Sequence, residues 1–536
     1  MISFDDFPVI YFALGYILAA GIVLFFFLRK NIPHFTVLFS ALCTLLVIMM
    51  RLPVLVFNQE INPDESQMIA HTLTLRHFPI YWESVDGTTI GPVNNYALLL
   101  PSVFGLSFDY ISARLLGLVW LLGSLLFFYR SVKNFFDEPT AQLSLLPPLF
   151  FLAFTQDPDF VHYSSEQLPL FLLNLGLWQL SKIHTVNKGE SNWQGIYWLG
   201  FFLGMNPFVK IQVVPQVAVI GLFALLGLYQ HKAFGKKFSA LLLGGVTVPA
   251  VIVILALGFG VLDDLWDYYV LGNLIYAGGS SLMESVVRLP SFFAKNPDFL
   301  LFLGSLGLGA LTLFFQKTKG VLKPGQLSAF VFLWLFAALY AATKTGNDFG
   351  HYLNLAIYPF SLLGALFIYK IQKNGTLVPV AGLLALAPFM VSFGLKAVQH
   401  KPLNAYVSGA DHRVPVGKVA QLILKYAQPA DRLVVWGWMC RYHVETQMPQ
   451  GTAENHSERC IYPHPLRQKY YQRFLDDLEK NRPKVFVDAV GNSLWLNDRP
   501  TQAHEAFAEL RNFIGKNYHL VGEAERTRVY IRNAEQ

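Results

Sequence analysis

About twelve stretches of this sequence are apolar enough, over enough residues, to cross a hydrocarbon layer ~30 Å thick as helices. They lie near residues 7–28, 35–57, 108–130, 141–156, 166–183, 193–209, 211–230, 238–260, 298–316, 327–343, 352–370 and 376–397. Backbone amides find no water in lipid, so each crossing must close its own hydrogen bonds as a helix. The chain is 54% hydrophobic and 14% charged, against about 25% charged in soluble domains. A soluble globule of this size cannot hide so much apolar side chain. Disorder, coiled coil, collagen and a small disulfide scaffold are excluded on the same ground. The first run is long and lacks both a basic start and a cleavage site, so it reads as a helix rather than a signal peptide.

The distribution of charge tests this count independently. Arg29 and Lys30, Arg130 and Lys133, Lys182 and Lys188, and Lys232, Lys236 and Lys237 fall in connections on one side of a twelve-helix chain. Lys317, Lys319 and Lys323, then Lys370 and Lys373, fall on that side too. Asp5 and Asp6, Asp64 and Glu65, Asp157 and Asp159, Asp263, Asp264 and Asp267, and Asp348 fall on the other. The positive-inside rule makes the basic side cytoplasmic and the acidic side exterior. The net charge of +6 is therefore an orientation signal in a lipid bilayer, and no nucleic-acid partner is expected.

Composition turns polar near residue 398, and Lys401 to Asn404 reads as a linker. Helices are expected over 415–428, 466–481 and 501–516. Strands are expected over Arg432–Trp438, Lys484–Val490, Tyr518–Val521 and Arg528–Arg532. The expected architecture is a polytopic α-helical membrane domain, 1–397, followed by an exterior α/β domain, 398–536. Two long exterior loops, 58–107 and 261–297, interrupt the membrane domain. Of three cysteines, Cys43 lies inside a helix; Cys440 and Cys460 are exterior, where pairing and free thiols both stay open.

Polar chemistry concentrates in the exterior loops and at outer helix ends. Asn62-Pro63-Asp64-Glu65 opens the first loop, and Ser66 to His77 is expected to lie at the interface on an apolar face of Met68, Ile69 and Leu73. Asp64 and Glu65 also fit a helix cap and first turn. Asp157-Pro158-Asp159, with His162 and Glu166, forms a second cluster able to contact an acceptor, cap a helix or bind a divalent cation. In the loop 261–297, Asp263, Asp264 and Asp267 alternate with Trp266, Tyr268 and Tyr269, which suits sugar stacking or a solvated interfacial loop. The glycines of the C-terminal α/β domain form no phosphate-binding loop, which speaks against nucleotide binding there.

An acidic pair after an early membrane helix, a following helix and then Gly91-Pro92 resemble the first exterior loop of GT-C glycosyltransferases. The closest in pattern are the protein O-mannosyltransferases and the lipid A aminoarabinose transferases. Asp109 to Leu115 resembles the way that family enters its next helix. Asn206 to Lys210 resembles its lysine turn, and His351-Tyr352 with Tyr358-Pro359 its late His-Tyr element. One departure is an additional helix ahead of the acidic loop. The resemblance implies a GT-C-like fold in the bacterial inner membrane, with active site and C-terminal domain facing outward. It implies a sugar donor on polyprenyl phosphate and an exterior acceptor: lipid A, a glycan or a protein.

A hydroxyl acceptor needs a base, and Asp64 is the expected one, with inversion at the anomeric carbon. Glu65 is expected to orient the acceptor or pair with a cation. A departing phosphate needs positive charge, for which Lys210, Arg114 and His351 are candidates; Tyr352 fits a hydrogen bond to the phosphate or the sugar, and equally a place in the interfacial aromatic belt. Lys344, Asn347 and Asp348 lie beside them in sequence. Snorkelling explains Lys210 as well, a salt bridge to a loop acid explains Arg114, and a helix-start position in water explains His351. Asp157, Asp159 and Glu166 are the candidate acceptor or metal residues, and Mg or Mn is the expected ion if one is used. Rival readings are a transporter or lipid flippase, and an envelope assembly protein or ligase.

Overall fold

The computed structural model describes residues 4–25, 34–185, 192–229, 234–314, 325–371, 378–409 and 412–534. Arg29, Lys30, Lys188, Lys232, Lys317, Lys319, Lys323 and Lys373, which carry much of the expected basic side, lie outside these residues. The chain forms two compact units. One comprises Met1–Phe57, Gly117–Val251 and Ala277–Asp411; the other comprises Asn58–Leu116, Ile252–Tyr276 and His412–Gln536.

Every one of the twelve apolar runs holds a helix. Among the described residues, seven helices are long and apolar enough to cross a membrane, and Pro8–Leu24 and Pro297–Gly309 are shorter apolar ones. The helix Gln167–Thr185 carries Gln167, Asn174 and Gln179, which dilute its hydropathy. The helix Glu138–Phe154 is buried from Thr140 to Phe154, so protein rather than lipid solvates it. That distinction is invisible to hydropathy, which scores lipid and protein surroundings alike.

Packing in the first unit uses two devices. Phe151, Phe299 and Phe302 interlock, with ring centroids 5.4 Å apart for Phe151–Phe302 and for Phe299–Phe302. Glycines let the helices Trp193–Met205 and Phe234–Gly258 touch backbone to backbone. A Cβ on Gly204 would stand 2.0 Å from the Gly245 carbonyl oxygen, and one on Gly200 would stand 2.1 Å from that of Leu241. This is the small-xxx-small contact of membrane helices, where close backbone approach replaces a hydrophobic driving force. Gly204→Leu is expected to break this pair and sharply lower the yield of monodisperse protein in detergent; a normal elution profile and melting temperature would refute the contact.

The second unit holds a four-stranded sheet: β1 (Leu433–Trp436), β2 (Val485–Asp488), β3 (Tyr518–Ala524) and β4 (Thr527–Arg532). The order is β1-β2-β4-β3, with β1 and β2 parallel and the other pairings antiparallel. All four overlap the runs expected to be strands: β1 and β2 are shorter than expected and fully buried, and β3 runs three residues past Val521. The helices Lys418–Leu424, Arg467–Asn481 and Ala508–Asn517 flank them in sequence; the second matches expectation, the first is half the expected length, and the third begins seven residues later than expected.

Three expectations change. The unit boundary does not fall at 397: residues 58–116 join the C-terminal domain, while 398–409 stay with the first unit, where Tyr406 donates to the Gln156 carbonyl at 2.7 Å. The stretch 261–297 is mostly helical, including a π-helical segment Leu265–Leu271 and the helix Leu282–Ala294, capped reciprocally by Ser281 and Glu284. The helix Pro63–His77 is not interfacial. Every residue from Glu65 to Leu75 is buried. Its polar positions find partners inside the unit: Ser66 on the Tyr110 hydroxyl at 2.8 Å, Thr72 on the Met68 carbonyl at 2.8 Å, and Thr74 accepting from the Gln450 amide at 2.9 Å. Cys43, Cys440 and Cys460 are buried free thiols.

Candidate functional site

In the second unit, the segment that presents Asp64 is held from both ends. Asn62 is the cap of the helix Pro63–His77, its side chain accepting from the Asp64 amide at 3.0 Å, and Pro63 supplies the first helical φ. Capping therefore belongs to Asn62, and Asp64 sits half-buried in the first turn with its carboxylate not required for it. Beside it, Glu65 is fully buried and takes both arms of Arg114, at 2.8 Å from Nε and 2.6 Å from Nη2. Arg114 also donates to the Gln59 carbonyl at 2.6 Å. Of the alternatives open in the sequence, the structure places Arg114 on a loop acid and Glu65 on a cation. The bidentate pair fixes the turn next to Asp64, and breaking such a buried pair typically costs 3–5 kcal/mol, about a third of a domain's stability.

In the first unit, Lys210 stands where an apolar helix breaks. The helix Trp193–Met205 gives way to short 3₁₀ turns, Asn206–Phe208 and Ile211–Val213, before Val214–Tyr229. Pro207 within the first turn cannot donate to a continuing α-helical ladder. Lys210 is 3% exposed, so it does not snorkel to water; its ammonium pairs with Glu166 and donates to Ser165 Oγ at 2.7 Å. It lies 5.0 Å from the centroid of the Tyr352 ring. Glu166 is itself fully buried, so the Lys210 ammonium and this carboxylate neutralise each other away from water.

His351 is buried rather than in water, its Nδ1 3.3 Å from Asp159. The His162 ring meets it edge-on at 5.6 Å; His162 Nδ1 contacts the Pro158 carbonyl, while its buried Nε2 has no partner among the described residues. Arg51, buried in the helix Phe35–Val56, donates to the carbonyls of Leu152 at 2.7 Å and Phe160 at 3.1 Å, so it ties the turn bearing Asp157 and Asp159 to the preceding helix. Sequence reading passed over Arg51 and Ser165, because nothing in one dimension links positions 51 and 152. Lys344 bonds the Ser280 carbonyl at 2.5 Å, and Asp348 pairs with Lys295 at 2.6 Å, both away from this cluster's contacts.

Neither acid group suits a divalent cation well. Asp157 caps its own turn by accepting from the Asp159 amide at 2.9 Å, and Asp159 accepts from the Gly350 amide at 3.0 Å and faces His351. A hard cation wants six or more oxygens, and donors already occupy these. In the second unit, Asp488, His504 and Glu505 converge, but Arg499 and Arg528 bind the same carboxylates and balance their charge.

The second unit also buries charge that the sequence does not announce. Arg473 bonds Asp86 at 2.5 Å and pairs with Glu454, its guanidinium 3.4 Å from the centre of the Tyr268 ring. Burial would raise Asp86, but Arg473 outweighs it and holds that carboxyl low; burial wins at Glu454 and raises it. Burial likewise pushes Asp477 up to about 6. The native state then holds a proton that the unfolded chain has lost above about pH 4, so stability falls as pH rises from about 4 to 6. Asp477→Asn, which can still accept from the Ala453 amide, is expected to remove about 3 kcal/mol of that decline. Parallel melting curves for wild type and variant across this pH range would refute the assignment.

The first unit is a bundle of apolar helices, and the second joins the polar insert after an early helix to the C-terminal sheet. No family model and no curated protein matches the sequence. Among solved structures, ArnT from Cupriavidus metallidurans bound to undecaprenyl phosphate aligns with a TM-score of 0.57 at 10% identity, covering 91% of this chain and 97% of that one. The archaeal oligosaccharyltransferase AglB from Archaeoglobus fulgidus, in complex with an inhibitory peptide and a dolichol-phosphate, gives 0.41 at 12% identity, over 94% of this chain and 75% of its own. The ArnT likeness carries the fold, and the AglB likeness carries no argument.

Proposed function

We propose that the chain is a membrane glycosyltransferase that moves a sugar from a polyprenyl-phosphate donor to a hydroxyl acceptor, with inversion. The observation that carries this reading is Lys210: a buried cation at a helix break, with Glu166, His162, His351 and Tyr352 gathered around it, in a fold shared with a structure that holds undecaprenyl phosphate. Leaving phosphate develops negative charge, and fixed donors in a dry site stabilise it far more than water does. Lys210 and His351 are the proposed phosphate partners, and Tyr352 a supporting donor. Asp64 is the proposed base that takes the acceptor proton during attack on the anomeric carbon. Glu65 and Arg114 are proposed to position Asp64 rather than to touch substrate. Asp157 and Asp159 are proposed to hold the turn and orient His351, and no step runs through a metal ion.

The proposed setting is the bacterial inner membrane with the reacting face outward, a reading supported by the charge pattern of the connections. The test is to incubate membranes containing the chain with a set of polyprenyl-phosphate sugars and to follow lipid, glycan and protein products by mass spectrometry. A donor-dependent mass increment in one product class supports the reading. Solute or lipid movement across liposomes, with no transfer from any donor and no need for Asp64, would replace it with the transporter reading.

A further inference from the structure

We propose that the cleft at the carboxyl ends of β1 and β2 is a subsite for a neutral, hydroxyl-rich sugar ring, and that this ring belongs to the acceptor. The second clause rests on the glycosyltransferase reading above. Adjacent parallel strands leave a crevice beyond their carboxyl ends, the usual ligand position in α/β sheets. Here the segment after β1 brings Trp438, the segment after β2 brings Asn492, Ser493 and Asn497, and Glu60 and Pro63 close the remaining side. The enclosed volume is about 360 Å³. That is at the small end of the roughly 300–1,000 Å³ typical of ligand pockets, enough for one or two rings and too little for a lipid tail.

The walls are built rather than incidental. Gly437 and Gly491 turn the chain out of the two strands at φ of 125° and 106°, a region a side chain would strain. The Trp438 amide donates to Ser493 Oγ at 2.5 Å, joining the two segments, and the Gly437 amide donates to Ser457 Oγ at 2.7 Å. The Trp438 ring lies flat on His456, centroids 4.0 Å apart and 3° from parallel, and its indole N–H has no partner among the described residues. Trp495 meets Trp438 edge-on at 5.4 Å. It is 50% exposed and holds φ at 60°, a costly conformation for a bulky residue that tends to persist where function requires it.

The chemistry of these walls selects the ligand class. None of the ten residues lining the cleft is Lys, Arg or His, so it offers no charge-assisted donor to a phosphate. Two side-chain amides and a hydroxyl both give and accept hydrogen bonds, as sugar hydroxyls do, and an indole supplies an apolar face for ring C–H groups. Glu60 adds an acceptor. Pro63 places the cleft one residue from Asp64 in sequence, so a ring bound here is held by the segment that presents the proposed base.

The test uses the full chain in lipid nanodiscs, passed over an array of immobilised neutral disaccharides with sialylated and phosphorylated ones beside them. At least one neutral disaccharide is expected to be retained, with retention at least tenfold lower in Trp438→Ala and in Asn497→Ala. Asn497 is exposed, so its variant answers the question even if Trp438→Ala melts early. Asp64→Asn is expected to bind the array like wild type. Retention of charged sugars only, of none, or equally by wild type and both cleft variants would overturn the subsite. Retention of neutral sugars without transfer from any polyprenyl-phosphate donor would keep the subsite and overturn the enzyme reading beneath it. Transfer to a peptide with no sugar retained would do the reverse.

Discussion

Asp64→Asn is expected to lower sugar transfer by 10²–10⁴-fold, the range a positioned general base supplies, while leaving the melting temperature unchanged. Two structural facts make this separation sharp. The helix cap that would otherwise account for an acid here is Asn62, and the buried ion pair belongs to Glu65 and Arg114, so neither stabilising role falls to Asp64. The amide is nearly the same size and keeps an acceptor oxygen, but it cannot take a proton. The loss should therefore fall on kcat, with KM for the lipid donor little changed. The measurement is initial rate against donor concentration in nanodiscs, alongside a thermal melt. A variant within threefold of wild type would remove Asp64 from the mechanism. One that fails to fold would instead give the position a structural role, and Glu65→Gln would show the same melting loss without any distinction between the two acids.

Lys210 gives the second large effect, and here stability and chemistry have to be pulled apart. Glu166 is fully buried, so Lys210→Met strands its charge and is expected to cost about 3–5 kcal/mol. Adding Glu166→Gln removes the stranded charge, and the double variant should recover to within about 1 kcal/mol of wild type, as paired removal of buried ions often does. Transfer should not recover with it. Loss of one fixed cation facing the leaving phosphate is expected to hold the rate at least 100-fold down, the scale seen when a preorganised donor is removed. Melts and turnover of the single and double variants decide the matter: a stable double variant with wild-type turnover would make Lys210 a structural partner of Glu166 and nothing more.

Much of this was legible in one dimension because the physics is local. Apolar runs long enough, or nearly so, to cross a bilayer favour helices, and all twelve runs carry one. Strand-like runs marked all four strands of the C-terminal sheet, though β3 extends three residues beyond the expected Val521. Pro63 behind Asn62 announced a helix start, though the cap proved to be the asparagine rather than the acid two residues on. The candidate acids and bases were also visible, as charges spared from lipid at the ends of apolar runs.

What a sequence cannot carry is pairing across long separations. Glu65 finds Arg114 49 residues away, Glu166 finds Lys210 44 away, and Arg473 finds Asp86 387 away. Burial is equally non-local. The helix Pro63–His77 has the polarity of a surface helix, yet it is buried from Glu65 to Leu75 because Tyr110, Asn95 and Gln450 arrive to satisfy its side chains. Hydropathy sums each residue's preference for water, and that sum marked the apolar helices and the polar, acid-bearing segments between them. Which acid is locked in a pair, which loop joins which unit and where a sugar-sized cleft opens depend on side chains meeting in three dimensions. Only folding settles those meetings, because a buried charge is tolerated only where its partner is already in place.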